Sequence, residues 1–160
     1  MSGRAASTAE RLQRTALQMF SERGYDAVTV AAIARAANVS HMTFFRHFPT
    51  KEAVVVRDVF DPLIAHAVAQ QSTSLPPLHR AVQGLLTALE HPSALEHTGS
   101  VEFRTRIRLA ASTPSLRAAV RSASQATEDE IARVLVTETV TRRAARAAAA
   151  AVMGAAAAVL

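Results

Sequence analysis

Residues 29–52, Thr29-Val-Ala-Ala-Ile-Ala-Arg-Ala-Ala-Asn-Val-Ser-His-Met-Thr-Phe-Phe-Arg-His-Phe-Pro-Thr-Lys-Glu52, set the expectation for the whole chain. They spell a short helix, a tight turn, a second short helix and the start of a third. That is the layout of a helix-turn-helix, whose second helix enters the DNA major groove. Thr29 is the expected N-cap of a helix over residues 30–37, with Ile33, Val30 and Ala34 or Ala37 facing inward. Asn38 falls in the turn, where a left-handed backbone is often needed and Asn tolerates it. Ser40 caps the next helix, which ends at Phe48 because Pro49 follows. Thr50 caps a helix that starts at Lys51.

Working backward, residues 8–23 carry Leu12, Ala16, Leu17, Met19 and Phe20 at helical spacing. Gly24 stands where a C-terminal cap wants positive φ. Met1 to Ser7 read as a flexible arm.

In the helix after Ser40, Phe44 and Phe48 are four residues apart and are expected in the small core. Ser40, His41, Met42, Thr43, Phe45, Arg46 and His47 are then the exposed set. A recognition helix reads bases from its N-terminal residues, which selects His41, Met42 and Thr43 for base edges. Arg46, His47 and Thr29 are placed for phosphate. Lys51, the sole lysine of the chain, is expected in a first helical turn, where its ammonium suits a phosphate. Thr29 and Ser40 act as caps whether or not they also meet DNA, and Phe45 fits the core as well as a backbone contact.

The segment Val39-Ser40-His41-Met42-Thr43-Phe44-Phe45-Arg46-His47-Phe48-Pro49-Thr50-Lys51-Glu52-Ala53 resembles the signature of the tetracycline-repressor (TetR) family. The likeness extends in register over residues 8–57. It implies an all-α chain: a three-helix DNA-binding domain over residues 1–52 and a helical ligand-binding and dimerisation domain over residues 53–160. It also implies a homodimeric one-component regulator of transcription. Three positions depart from the pattern. The family usually has Tyr where Phe45 stands, and Phe45 cannot hydrogen-bond a phosphate. Many members carry Arg where this chain has Ala31. The turn glycine is Asn38.

Composition agrees with this frame. The 160 residues are 49% hydrophobic, with no Cys and a net charge of +5. Without Cys there is no disulfide framework and no thiolate metal site. No charged-then-apolar N-terminal segment is read, so the expected compartment is the cytoplasm. Residues 1–60 carry eight Lys/Arg and five Asp/Glu, so the DNA end is basic. Residues 61–100 carry one against three, and residues 101–160 nine against five.

Downstream, one helix is expected from Lys51 to about Gln71, bent at Asp61-Pro62. Ser72 to Pro77 reads as a loop and a helix follows from Pro77. His91 to Ser100 reads as a loop or a frayed turn. Further helices are expected over residues 101–111, from Thr113 (N-cap, with Pro114 first) to Glu138, and over residues 141–160. Residues 147–160 are all small or apolar but fall short of the roughly 20 residues of a membrane span. This last helix meets Leu160 without a cap, which leaves open that the native helix continues. The resemblance assigns the last two helices to the dimer interface.

The resemblance also implies a ligand pocket. Candidate lining residues are Phe60, Leu63, Ile64, Leu86, Leu89, Phe103, Ile107 and Leu116, for which core packing is the default reading. Residues 103–117, Phe-Arg-Thr-Arg-Ile-Arg-Leu-Ala-Ala-Ser-Thr-Pro-Ser-Leu-Arg, resemble a subgroup with an acyl-CoA-like ligand-binding domain. Arg104 and Arg108 lie four residues apart on one helix face, where solvation or the phosphates of such a ligand would both suit them. The expected partners are therefore double-stranded DNA, a small apolar effector and a second copy of the chain, with no cofactor and no membrane.

No catalytic order of Ser, His and Asp, no glycine-rich phosphate loop and no metal-spaced His pair is visible, so an enzyme is not expected. The rival reading is a helical dimeric interaction protein whose helix-turn-helix does not bind DNA.

Overall fold

The computed structural model describes residues 7–57 and 61–159. The described residues are helical, in the order α1 (Thr8–Arg23), α2 (Val30–Ala36), α3 (His41–His47), α4 (Ala53–Val56), α5 (Asp61–Gln70), α6 (Pro77–Glu90), α7 (Pro92–Thr98), α8 (Val101–Ser112), α9 (Leu116–Leu135) and α10 (Arg142–Val159). They divide into two compact units. The first is Met1–Arg57 with Ser100–Val120, and the second is Asp58–Gly99 with Arg121–Leu160. Residues 53–57 and 100–120, expected with the C-terminal domain, thus pack in the first unit.

The first unit is built from local signals that agree. Ser7 is not part of a loose arm: its Oγ accepts from the Glu10 N–H at 3.2 Å while its own N–H donates to Glu10 Oε2 at 2.7 Å. This reciprocal capping box satisfies two N-terminal donors of α1. Gly24, at φ 84°, ends that helix. Asn38 takes φ 54°. The Val39 N–H then reaches back to the Ala34 carbonyl at 2.9 Å. That six-to-one bond is a Schellman closure, and it makes the turn between α2 and α3 tight.

Leu12, Leu17, Phe20, Ile33, Phe44 and Phe48 form the core of this unit, each at most 2% exposed. Burying Phe44 completely contributes about 1.5–3 kcal/mol. From outside the N-terminal segment, Leu109 of α8 and Leu116 close the same core. Leu116, a candidate for the ligand pocket, is therefore core. The buried Arg106 of α8 donates through Nε to the Val55 carbonyl at 2.7 Å. Its neighbours Arg104 and Arg108 are exposed, because residues two apart lie on different helix faces.

Three expected boundaries are corrected. The helix from Lys51 to Gln71 is interrupted: Arg57 is extended (φ −69°, ψ 116°) and closes α4, and Asp61 and Pro62 open α5. The presumed loop His91–Ser100 contains α7. Pro92 suits a first helical position because its missing N–H would be unpaired there anyway, and Ala94 is buried. Thr113 is the C-cap of α8, not an N-cap. The Leu116 and Arg117 N–H groups make short i−3 bonds to Thr113 and Pro114, so α9 starts at Leu116 and ends at Leu135, short of Glu138.

In the second unit, Ala65, Val68, Ala81, Leu85, Ile131, Leu135, Ala145, Ala149 and Val152 form the core. Small residues set its packing distances. A Cβ at Gly84 would stand 2.5 Å from the Val68 Cα, so α5 and α6 touch backbone to backbone there. Among the described residues, no helix is long and apolar enough to cross a membrane.

Candidate nucleic-acid interface

Helix α3 is anchored from below and open above. Phe44 and Phe48 are buried, their rings 5.9 Å apart. Met42 is 78% exposed. His41 and Arg46 are exposed, while Thr43 and His47 are half-buried. One helical face thus presents His41, Met42 and Arg46 to solvent. Phe45 is neither core nor free: it is 37% exposed, edge-on to His41 at 4.8 Å and to Phe44 at 5.4 Å. It stiffens the face rather than offering a polar contact.

The hydroxyl candidates are occupied as caps. Thr29 Oγ1 accepts from the Ala32 N–H at 3.2 Å. Ser40 Oγ accepts from the Thr43 N–H at 3.0 Å and lies 2.8 Å from Thr43 Oγ1. A hydroxyl keeps donor and acceptor capacity beyond one bond, so capping and a phosphate contact are compatible.

Lys51 lies in a turn just before α4. Its Nζ donates to the Tyr25 carbonyl at 2.7 Å and sits 4.1 Å from the Tyr25 ring centroid. The Tyr25 hydroxyl donates to Glu52 Oε1 at 3.0 Å. Burial, then the Glu52 hydrogen bond and charge, push the Tyr25 phenol above its ordinary range. Burial alone would raise the Glu52 carboxyl. Hydrogen bonds from its own N–H, Tyr25 and Thr50, with the Lys51 charge, outweigh that and hold it below the ordinary carboxylate value. This cluster pins the segment after α3 to the loop after α1.

Two basic residues were missed in the sequence. Arg57 donates through Nη1 to the His47 carbonyl at 2.9 Å and lies over the Phe48 ring, so it sits at the C-terminal end of α3. Arg35 lines an open hollow of about 510 Å³ with Ala31, Ala34, Asn38, Val39, Ser40 and His41. Its spacing of four from Ala31 was the available signal, since such residues share a helix face.

The pocket candidates fall into two groups. Leu63, Leu86 and Leu89 are exposed and Ile64 is half-buried in the second unit. Phe103, Arg104, Ile107 and Arg108 lie on α8 of the first unit, Ile107 37% exposed. Phe60 lies outside the described residues. Among the described residues no group of His, Asp or Glu could hold a metal ion.

Comparison with known proteins bears on the first of these sites. The family model for bacterial regulatory proteins of the tetR family matches residues 12–57. The chain is 32% identical over 133 residues to the HTH-type transcriptional regulator TcmR of Streptomyces glaucescens, covering 80% of this chain and 58% of that protein. It is 32% identical over 95 residues to the HTH-type transcriptional repressor KstR2 of Mycolicibacterium smegmatis, covering 58% and 45%. The chain thus spans about half the length of these relatives. Among solved structures, the ketosteroid transcriptional regulator KstR2 of Mycobacterium tuberculosis superposes with a TM-score of 0.38 at 22% identity, over 96% of this chain and 84% of that one.

Proposed function

We propose that this chain, whose residues 12–57 match the tetR family of bacterial regulatory proteins, is a cytoplasmic repressor that binds a palindromic operator as a homodimer and releases it on binding a small apolar effector. The observation that carries the DNA reading is the α3 face of His41, Met42 and Arg46, exposed above a buried Phe44 and Phe48. Side chains on a rigid helix reach base edges and phosphates without a large ordering cost. His41, Met42 and Thr43 read bases. Arg46, His47, Thr29, Ser40 and Lys51 meet the backbone, and Phe45 packs against it.

A dimer is required for two half-sites about 34–36 Å apart. The exposed side of α10 carries Ala147, Ala150, Ala151 and Gly154, small residues that let a second helix approach closely. The effector reading has support in each unit separately: exposed Leu63, Leu86 and Leu89 with half-buried Ile64 in the second, and Phe103, Ile107, Arg104 and Arg108, which suit an acyl-CoA-like molecule, in the first. By linkage, an effector that prefers the DNA-incompetent dimer weakens DNA binding by the same factor.

The rival reading, an interaction protein that does not bind DNA, draws support from Phe45, which has no polar atom, and from Lys51, whose amine already serves Tyr25. Fluorescence anisotropy on the DNA upstream of the protein's own gene decides between them, with palmitoyl-CoA titrated in. Salt-dependent binding that palmitoyl-CoA reverses supports repressor and ligand class together. Binding that palmitoyl-CoA leaves unchanged keeps the regulator and discards that ligand. No salt-dependent affinity for any duplex favours the rival.

A further inference from the structure

Arg80 is the single Lys or Arg between residues 61 and 100, and it is buried. It is 5% exposed, and its Nε is fully buried with no hydrogen-bond partner. Among the described residues no ion pair holds it either. A buried Nε–H without an acceptor leaves the desolvation of that donor uncompensated. Its position makes matters worse, because Arg80 stands in the first turn of α6, where the helix dipole disfavours a cation and favours an anion. No side chain caps that end of the helix.

The rest of α6 shows that the burial is not forced by a lack of apolar residues. Leu78, Val82, Leu86 and Leu89 on the same helix are 38–51% exposed. The helix buries Arg80 and Leu85 and leaves its other three leucines exposed. A buried polar group left unsatisfied in this way calls for a ligand or partner.

We propose that Arg80 is the anchor of an oxyanion site in the second unit, taking the carboxylate or phosphate of a small-molecule ligand. The planar guanidinium offers paired N–H donors that match either group. This inference deepens the effector part of the proposed function and is independent of DNA binding.

The test is thermal unfolding of the full chain, free of DNA, with decanoate, inorganic phosphate or decanol added. The wild type is expected to gain a saturable rise in midpoint with decanoate or phosphate and none with decanol. Which of the two anions acts identifies the headgroup. R80M is expected to melt no lower than wild type when ligand-free, since it removes the unmatched Nε donor, and to lose the anion response. R80K keeps the charge without the fork and is expected to bind about ten-fold more weakly or worse. The proposal is overturned if neither anion shifts the wild type, or if R80K responds as the wild type does. It is also overturned if R80M destabilises the ligand-free protein and changes its sedimentation, because Arg80 would then meet a carboxylate of a second copy. DNA anisotropy on the same wild-type sample reports the regulator reading separately.

Discussion

The Lys51 ammonium and the Tyr25 carbonyl are 2.7 Å apart, with the same ammonium 4.1 Å from the Tyr25 ring centroid. A lysine expected to serve phosphate therefore also ties the segment after the recognition helix to the loop after α1. Arg46, one turn back on α3, is exposed. The two cations should separate in mutagenesis. Lys51→Met loses a charge-assisted hydrogen bond and a cation–π contact, and is expected to destabilise the protein by about 1–3 kcal/mol in urea unfolding. Arg46→Met is expected to change stability by less than about 0.5 kcal/mol. Instead it should reduce the salt slope of duplex binding by about one. Equal stability losses in the two variants would contradict this division of labour.

Met42 bears on sequence preference. At 78% exposure it supports nothing in the core. Met42→Ala is expected to leave the thermal midpoint unchanged and to alter the preferred base at one operator position by about 1–3 kcal/mol. Selection of bound duplexes from a randomised pool, run for both proteins, reads this directly. An identical selected motif would remove Met42 from the base-reading set.

Tyr25 and Glu52 make the first unit sensitive to pH at both ends. The Glu52 carboxyl is held below its ordinary value. Its contribution is complete above the unfolded-state pKa of about 4.3 and is lost as pH falls through the lower folded value. The Tyr25 phenol is raised. Its contribution is complete below the unfolded value of about 10 and is lost as pH rises through the folded one. Glu52→Gln is expected to flatten the acid limb of a stability-versus-pH curve, and Tyr25→Phe the alkaline limb. Chemical denaturation from pH 3 to 11 provides the check.

Gly84 governs the second unit. Because a Cβ there would meet the Val68 backbone, even alanine forces α5 and α6 apart. Overpacking of this kind costs about 1–3 kcal/mol, which outweighs the gain in helix propensity of roughly 1 kcal/mol from replacing a helical glycine. Gly84→Ala is expected to lower the unfolding midpoint. Gly154→Ala, where an added Cβ meets nothing within 4 Å, is expected to hold or raise it.

The helix-turn-helix was legible because its signals are local. The stripe from Leu12 to Phe20, the caps Thr29 and Ser40, the left-handed Asn38 and the stop at Pro49 each depend on residues within one or two turns. The expected α1, Thr8 to Arg23, is the observed one. Where the local signals conflict, reading by pattern failed. Lys51 to Gln71 has apolar residues at helical spacing throughout, yet Arg57 is extended and donates to the His47 carbonyl. The polar segment after His91 looked like a loop, yet buried Ala94 gives α7 one side to pack.

By itself, then, the sequence determined the all-α character of the chain, the position of α3 and the likeness of residues 12–57 to the tetR family. All three follow from capping, periodicity and side-chain type along a short stretch. Only the tertiary structure decided which cation faces inward and which outward. Arg104 and Arg108 stay in solvent while Arg106 is buried on the Val55 carbonyl. Lys51 turns onto Tyr25, and Arg80 is buried with its Nε unmatched. The acceptors that hold Lys51 and Arg106 come from segments distant in the chain. Burial cost and compensating partner are properties of packing, and packing is what a linear reading does not contain.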